Sequence, residues 1–353
     1  MKEKSVLLYQ GGSYLMRESG VGNAVRQQEK ALLRAGAAFE TKGWDCPVVH
    51  FNTILPDSYF KARQARREGK KVVYHAHSTM EDFRNSFIGS NWLAPLFKKW
   101  ICRCYNLGDV VITPTTYSRQ LLSSYGLKAP VMALSNGVDT DFFQRERGQR
   151  ERFRQKYQLR EEDKVVISVG LPIERKGILE FVQTAECFPE YQFFWFGRLH
   201  SVLMPHKIKR AMAQAPENCH FPGFVGKEEL RDAYGGADVF LFLSSEETEG
   251  IVLLEALSME IPIVARRIGA YEGWLVDGKN ARLRENFREL RKALRQTLKG
   301  ELLVLTEEGR KTALERNLKS VGQRLATVYQ TLYNGEVKSK GEADYGILSY
   351  FNR

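Results

Sequence analysis

The chain has 353 residues, 43% of them hydrophobic and 27% charged, which is the composition of a soluble globular protein. This length exceeds what one hydrophobic core usually supports, so two domains are expected. No run of 18 apolar residues occurs, so the sequence predicts no membrane-spanning helix. The formal net charge of +11 predicts an anionic partner: nucleic acid, an acidic membrane surface or a phosphorylated substrate.

The N-terminal apolar run and the cysteines indicate the compartment. The run at 5–10 is too short for a secretory signal and is followed directly by glycines, so a cytoplasmic protein is expected. The five cysteines are Cys46, Cys102, Cys104, Cys187 and Cys219. They form neither a CxxC pair nor a metal-ligand spacing, and we interpret them as reduced, mostly structural thiols. The cysteines therefore indicate no metal site, and we expect neither a metal nor a cofactor.

Short apolar runs alternate with helical patterns along the chain, in two series. The first series of strands is predicted at 5–10, 47–51, 71–77, 110–113 and 131–134. The second series is predicted at 164–170, 191–197, 239–244 and 262–266. Val-, Ile- and Phe-rich runs with helices between them indicate βαβ units and parallel sheets.

A polar, highly charged segment at 135–164 separates the two series, with a hinge predicted near Asn136–Asp141. The fold class predicted is therefore α/β, with two Rossmann-like, doubly wound parallel-sheet domains that face each other across a cleft. The first domain is predicted over 1–138 and the second over 139–319. The C-terminal segment, about 320–353, is a candidate to pack back on the first domain.

Two glutamates flank Gly250 after the apolar strand at 239–243. Glu247 is expected on the loop at the carboxyl end of this strand, and Glu255 in the first turns of the following helix. Ligands of open parallel sheets bind in that crevice, and two carboxylates there can accept hydrogen bonds from several hydroxyls of a polyol. The alternative is a surface loop and helix that carry ordinary solvated acids.

The segment GLPIERKG at 170–177 connects a predicted strand to a predicted helix. Arg175 and Lys176 then lie near a helix N-terminus, where unpaired N–H groups and the helix dipole favour an anion such as a pyrophosphate. The alternative is a solvated basic loop. The pattern GxxxxGK[ST] is absent, which disfavours a nucleotide-hydrolysing P-loop.

Glycines and histidines mark two strand ends of the first domain. Gly20 and Gly22 open the first predicted helix, where glycine permits close approach to a phosphate or sugar, although this signal alone is weak. His75 and His77 end a predicted strand on one face, and His77 is interpreted as a hydrogen-bonding group at a cleft. A structural histidine is the alternative.

Aromatic and basic residues are interleaved in the helical pattern at 89–106. The candidate acceptor and membrane contacts are Trp92, Phe97, Lys98, Lys99, Trp100 and Arg103. Rings that enter the headgroup region and cations that meet anionic lipid suit a membrane interface. Alternatively the apolar stripe packs on its own sheet, or the cations bind nucleic acid, for which no recognised motif is present.

The order of these segments resembles the family 4 glycosyltransferases, retaining enzymes of the GT-B architecture. The resemblance spans nearly the whole chain. Its segments are the glycine loop (Gly20 and Gly22), the strand-end His77, SNGVD at 135–139, the phosphate loop (GLPIERKG at 170–177), GFV at 223–225 and the E-x₇-E pair. The segments SGVGNAVRQQ, HSTMEDFRNSFIGSN, GLPIERKGI and ARRIGAYEGWLVDGKN are similar, more narrowly, to glycolipid synthases of Gram-positive bacteria, which add a second α-linked hexose to monoglucosyl-diacylglycerol.

This resemblance implies roles for the charged residues. Glu247 would contact the donor sugar and Glu255 the ribose hydroxyls. Lys176, with Arg175, would neutralise the departing diphosphate. The catalytic residues implied are Glu247, His77 and Lys176.

The resemblance implies further donor contacts. Gly20, with Gly22 in the same loop, would approach the diphosphate, and His77 would hydrogen-bond the sugar beside its anomeric carbon. Phe224 and Val225 would lie against the uracil. Three residues between the two glutamates complete the implied donor site: Gly250, Ile251 and Val252.

Two positions depart from the family pattern. Leu171 follows the glycine of the phosphate loop, where the family often has Arg, and Arg175 is the candidate replacement for that charge. Glu260 stands where the family often has Gly, and we expect it to alter a helix end rather than the chemistry.

The function expected is therefore a retaining hexosyltransferase at the inner face of the cell membrane. It would move glucose or galactose from a UDP-sugar to a membrane glycolipid, with no metal, no cofactor and no nucleic-acid partner. Two alternatives stay open: a family 4 enzyme with a soluble or polyprenyl-linked acceptor, and a noncatalytic UDP-sugar- or lipid-binding protein of the same fold.

Overall fold

The computed structural model describes residues 5–12, 20–199, 204–301 and 306–335. Within them the chain divides into two compact units, each built on a six-stranded parallel sheet. The first unit contains 5–80, Leu93–Gly137 and 316–335, and the second contains Glu81–Trp92 and Val138–Glu315. The segment Glu81–Trp92 thus belongs to the second unit, although the sequence predicts it within a first domain of 1–138.

The first sheet has the strand order β2-β1-β3-β4-β5-β6. Its strands are β1 (Val6–Tyr9), β2 (Phe39–Glu40), β3 (Val48–Phe51), β4 (Lys71–His75), β5 (Val110–Thr113) and β6 (Val131–Ala133). The helices of this part of the chain are α1 (Gly20–Arg34), α2 (Pro56–Arg67), α3 (Met80–Phe83), α4 (Ser90–Tyr105) and α5 (Thr116–Ser124). The sequence predicts every one of these strands except β2, which lies at the sheet edge.

Alternation along the strands supplies two cores to the first sheet. Val6 and Leu8 join a buried cluster with residues of α1 and of α13 (Leu318–Tyr333), whereas Leu7 joins a cluster with residues of α2, α4 and α5 on the opposite face. Helix α13 packs closely on α1 because Gly322 has no side chain: an added Cβ would lie 1.9 Å from the carbonyl oxygen of Ala31. The C-terminal helix therefore belongs to the first unit; residues 336–353 lie outside the described residues.

The second sheet has the order β12-β11-β10-β7-β8-β9. Its strands are β7 (Val165–Val169), β8 (Gln192–Phe196), β9 (Cys219–Gly223), β10 (Val239–Phe242), β11 (Ile263–Arg266) and β12 (Arg282–Arg284). The remaining helices are α6 (Gln149–Lys156), α7 (Ile178–Cys187), α8 (His206–Ala213), α9 (Lys227–Gly236), α10 (Ile251–Ser258), α11 (Phe287–Leu298) and α12 (Thr306–Glu315). The edge strands β9 and β12 are not predicted from the sequence.

This strand order is that of the Rossmann fold, and it determines where a ligand can bind. Strands β7 and β10 are neighbours in the sheet, and the chain continues in opposite directions from them, through β8 and β11. Their carboxyl ends therefore form the topological switch point, where crevices of open α/β sheets bind ligands. Among the described residues, no helix is both long and apolar enough to span a bilayer.

Candidate functional site

The switch point of the second sheet brings an ion pair together. Lys176 lies in the loop after β7 and Glu247 in the loop after β10, and the Lys176 Nζ donates a hydrogen bond to Glu247 Oε1. Ser244 Oγ donates to the same oxygen over 2.7 Å. Two residues predicted from separate motifs thus meet at one point.

Gly177 explains how the two loops approach each other. Its φ of 83° is left-handed, and an added Cβ would lie 2.5 Å from Leu243 Cβ and 2.8 Å from the Leu243 carbonyl oxygen. Only glycine fits this position, on grounds of both conformation and space. The glycine ends the short 3₁₀ turn Glu174–Lys176 and begins α7, which fixes Lys176 beside the β10 loop.

Arg175 is 8% exposed and is held by several acceptors. Its Nη1 lies 2.9 Å from Asp82 Oδ1 and 3.8 Å from Glu247 Oε2, and its Nε donates to Ser86 Oγ over 3.1 Å. Its backbone N–H donates to the carbonyl oxygen of Asn85. These bonds explain why Glu81–Trp92 belongs to the second unit.

Burial and pairing oppose each other in this cluster. Burial raises the pKa of Glu247, but Lys176 and Arg175 more than offset it, so the pKa of this carboxyl lies below its usual value. Burial lowers the pKa of the Lys176 ammonium, and Glu247 opposes that shift only in part. Burial, together with Glu247, raises the pKa of Asp82 despite Arg175. Two cations and two carboxylates therefore share a small volume with little water.

Helix α10 carries the second glutamate. Gly250, with a φ of 86°, precedes the first residue of the helix, and Glu255 lies inside it, as the sequence predicts. Glu255 is only 3% exposed, and its Oε2 accepts a hydrogen bond from Tyr234 Oη over 3.1 Å. Glu247 thus lies on the loop before α10 and Glu255 within the helix, both following the carboxyl end of β10.

The other donor residues predicted in the second unit lie at the same edge of the sheet. Ile251 and Val252 form the first turn of α10, whose free N–H groups make it a suitable end for an anion. Phe224 and Val225 follow β9, and Phe224 is 54% exposed, a large uncovered ring. Their predicted contacts with donor and uracil stay predictions.

The predicted residues of the first unit lie at the carboxyl ends of its own strands. Gly20 and Gly22 begin α1; residues 13–19, which include the start of that glycine motif, lie outside the described residues. His77 Nε2 lies 3.0 Å from Asn52 Oδ1, and its ring stacks on His75 with centroids 4.3 Å apart. Burial lowers the pKa of His77 to about 4, so this imidazole is neutral at pH 7.

The aromatic and basic helix, α4, divides into two faces. Phe97 and Trp100 pack against the core of the first sheet, and the indole N–H of Trp100 donates to the Ile54 carbonyl oxygen over 2.8 Å. Lys98 lies over the Tyr125 ring at 4.1 Å. Phe97 and Trp100 are therefore partly buried against this core, and the acceptor or membrane role that their spacing suggested stays a prediction.

The opposite face of α4 is exposed. The residues that share this stripe, at helical spacing, are Trp92, Leu96, Lys99 and Arg103. Trp92 is 81% exposed and Leu96 59% exposed. Two apolar side chains, Trp92 and Leu96, are thus followed along the stripe by two cations. This pattern is typical of helices that lie on an anionic membrane surface.

The two departures from the family pattern have physical explanations. Leu171 brings no charge to the phosphate loop, whereas Arg175 brings its guanidinium to within 3.8 Å of Glu247. Glu260 has a left-handed φ of 53° directly beyond the last turn of α10, a position that favours glycine. Glu260 therefore lies at a helix end, and its expected lack of effect on the chemistry stays a prediction.

Sequence reasoning missed Asp82, Ser86 and Ser244, which position the cations and Glu247. Tyr271, which lies in the 3₁₀ turn Gly269–Tyr271 beside Gly250, was missed as well. A signal existed for Ser244, which directly follows a predicted strand. Asp82 and Ser86 could be recognised only from the fold, because their partner Arg175 is distant in sequence.

Comparison with known proteins identifies the family of the chain. A model of Glycosyltransferase Family 4 matches residues 23–142, and a model of Glycosyl transferases group 1 matches residues 149–315. The chain is also 36% identical over 327 residues to the processive diacylglycerol alpha-glucosyltransferase of Acholeplasma laidlawii, covering 92% of this chain and 97% of that protein. The chain belongs to the family 4 glycosyltransferases.

Two further likenesses bear on this family 4 glycosyltransferase. It is 28% identical over 262 residues to the alpha-galactosylglucosyldiacylglycerol synthase of Streptococcus pneumoniae, covering 72% of this chain and 70% of that one. The Anabaena protein HepE, in its complex with UDP-glucose, superposes with a TM-score of 0.75 at 15% identity, covering 93% of this chain and 99% of HepE. With the two parallel sheets, this likeness identifies the fold class as GT-B.

Proposed function

We propose that this glycosyltransferase moves a hexose from a UDP-hexose to a glycosylated diacylglycerol, with retention of the anomeric configuration. The observation that carries the acceptor class is the 36% identity over 97% of the length of a diacylglycerol alpha-glucosyltransferase. The likeness to a synthase of a galactosylglucosyl lipid supports monoglucosyl-diacylglycerol as the acceptor. Glucose and galactose are the two donor sugars to be compared.

The cation pair at the switch point supports the nucleotide-sugar donor. A UDP-hexose carries its negative charge on the diphosphate. Arg175, which is buried, and Lys176, which is partly buried, supply two cations held by hydrogen bonds. The first turn of α10 adds free N–H groups at the same edge. The structural neighbour HepE binds UDP-glucose with the same fold class, which supports uridine as the base.

The chemistry follows from where charge develops. The bond between the anomeric carbon and the diphosphate oxygen breaks, and the acceptor hydroxyl oxygen forms a bond to that carbon on the same face. The departing UDP takes up the acceptor proton, and Lys176 with Arg175 stabilises its growing negative charge. Glu247, whose pKa is held low, stays ionised and faces the positive charge that grows on the sugar.

This charge neutralisation uses the protein's own cations, so we propose that no divalent metal is needed. Transfer should continue in the presence of excess EDTA at an unchanged rate. A loss of rate on chelation, restored by Mg²⁺ or Mn²⁺, would contradict this part of the proposal.

The exposed stripe of α4 supports recruitment to a membrane that contains the acceptor. Trp92 suits the headgroup region, and each near-surface cation is attracted by anionic lipid by about 1 kcal/mol. Replacing Lys99 and Arg103 by Gln should weaken binding to vesicles of phosphatidylglycerol by about tenfold or more. The double replacement of Lys209 and Arg210 on α8, which are also exposed, is the matched control.

The proposed function is tested by a transfer assay with purified protein and vesicles that contain monoglucosyl-diacylglycerol and phosphatidylglycerol. UDP-glucose and UDP-galactose are supplied separately, and wild type is compared with Glu247→Gln. A diglycosyl lipid from one donor, lost in the variant, is the expected result. Measurable UDP binding without any lipid product would reject this acceptor. Product on a soluble or polyprenyl-linked acceptor would then identify the alternative substrate class. No product on any acceptor would indicate a noncatalytic binding protein.

A further inference from the structure

Tyr271 has a buried hydroxyl group without a hydrogen-bond partner. The residue is 1% exposed, and its Oη is one of the buried side-chain oxygens for which the described residues offer no donor or acceptor. A buried hydroxyl in this state costs free energy, and phenylalanine would fill the same space without that cost. A tyrosine here is therefore explained by a partner outside the described residues, such as a bound ligand.

The position of the ring points to the donor crevice. An added Cβ on Gly250, the residue directly before α10, would lie 3.8 Å from Tyr271 Cε1, so the hydroxyl-bearing end of the ring lies beside this turn. The centroid of the ring also lies 6.5 Å from that of Phe242. The Lys176 Nζ lies over the Phe242 ring, 5.7 Å from its centroid. Among nearby charges, Glu247 and then Arg175 act most strongly on the phenol.

The ring is held rigidly. It packs edge-to-face on Trp274, with centroids 5.7 Å apart and planes at 88°. The Trp274 indole N–H donates to the Ala270 carbonyl oxygen over 2.7 Å, and Asn280 Nδ2 donates to the Trp274 carbonyl oxygen. The hydroxyl is thus presented at a fixed position, as a group that recognises a substrate must be.

The chemistry of the crevice limits what this hydroxyl can meet. The diphosphate has the two cations, and the ribose has Glu255 as its predicted partner, about five residues into α10 from Gly250. Burial raises the pKa of Tyr271, so its phenol stays protonated and neutral. A neutral donor and acceptor beside Glu247 matches a sugar hydroxyl better than a phosphate oxygen.

Resting on the proposed function, we infer that the Tyr271 hydroxyl hydrogen-bonds a hydroxyl of the donor hexose and contributes to the choice of sugar. The residue recognises the sugar and takes no part in proton transfer.

The test combines stability with binding, on the full chain, for wild type and Tyr271→Phe. Without ligand, Tyr271→Phe should leave the melting temperature unchanged or raise it. Tyr105→Phe is the control for a bonded buried hydroxyl, because Tyr105 Oη donates to the Ser78 carbonyl oxygen over 2.9 Å; this variant should melt at a lower temperature. A similar fall for Tyr271→Phe would overturn the inference, since the hydroxyl would then be structural.

Calorimetric titration with UDP and with each UDP-hexose forms the second arm. Tyr271→Phe should bind the UDP-hexose about tenfold more weakly than wild type does, and UDP equally well. In a series of UDP-deoxyhexoses, one analogue should show the same loss with wild type and no further loss with Tyr271→Phe. An equal loss for UDP, or unchanged affinity for every ligand, would overturn the inference.

These outcomes separate the two levels of the proposal. If wild type binds no UDP-hexose, the proposed donor is wrong and the inference falls with it. If wild type binds and transfers the hexose while Tyr271→Phe behaves identically, only the role of Tyr271 is rejected.

Discussion

A buried histidine makes the stability of the first unit depend on pH. His50 on β3 is fully buried, and its Nδ1 lies 2.7 Å from Tyr329 Oη and 2.8 Å from Gln28 Nε2. Its ring stacks 5.4 Å from that of His75, which stacks in turn on His77. Burial, followed by the charge of His77, lowers the pKa of His50 to about 3.

The sign and size of the effect follow by linkage. The folded pKa is depressed below the ordinary value of about 6.5, so protons bind preferentially to the unfolded chain. The contribution of neutral His50 to the free energy of unfolding is fully present above about pH 6.5. It falls by about 1.4 kcal/mol per pH unit as the pH is lowered to about 3. Between pH 7 and pH 5, His50 should therefore remove about 2 kcal/mol from the free energy of unfolding.

The perturbation is His50→Asn, whose amide can replace the Nδ1 hydrogen bonds without titrating. The free energies of unfolding of wild type and variant are measured in urea at pH 7 and at pH 5. The difference between the two proteins is calculated at each pH, and the change in this difference gives the pH-dependent contribution of His50. We expect a change of about 2 kcal/mol. His206→Asn, a replacement at an exposed position, is measured in the same way as the control for the substitution itself. Parallel pH profiles of wild type and His50→Asn would refute the reasoning.

Three further substitutions test other parts of the structure. Asp82→Asn removes an anion 2.9 Å from Arg175, so UDP should bind about 3- to 10-fold more tightly by calorimetry; weaker binding would mean that Asp82 is needed to hold the guanidinium. Gly322→Ala would put a methyl 1.9 Å from a carbonyl oxygen of α1 and should cost about 2 kcal/mol or more in urea unfolding. Gly226→Ala, with open space around it, is its control, and equal effects would contradict the close packing of α13 on α1. Glu260→Gly should raise the free energy of unfolding by about 1 kcal/mol, because the left-handed φ of 53° favours glycine; a loss of stability would show a role for the side chain.

The internal strands of both sheets could be predicted because they are buried on both faces. Strands such as β7 (VVISV) and β10 (VFLF) are runs of mostly apolar residues. The sequence also shows that β7 directly precedes the phosphate loop and that β10 precedes the loop that carries Glu247. The edge strands β2, β9 and β12 were missed. Strands β2 and β12 have only two and three residues, and all three strands are partly exposed. Their residues (RLR in β12 and CHFPG in β9, for example) therefore show no run of apolar side chains.

The charged residues of the site were predicted better than their contacts. Local motifs identified Arg175, Lys176 and Glu247, because each follows directly from a strand–loop–helix pattern. The pairing of Arg175 with Asp82 joins segments far apart in sequence, and no local pattern encodes it. In α4, composition alone could not distinguish the partly buried Phe97 from the exposed stripe of the helix.

The central claim is tested most directly by the rate and stereochemistry of hexose transfer by Lys176→Met. With a UDP-hexose and monoglucosyl-diacylglycerol vesicles, wild type should form an α-linked diglycosyl lipid, as read by NMR of the anomeric proton. Lys176→Met should lower kcat by about 10²- to 10³-fold, while Lys207→Met, which removes an exposed lysine paired with Glu174, should leave it unchanged. A β-linked product would contradict the proposed retention of configuration, and wild-type turnover by Lys176→Met would contradict the proposed donor site.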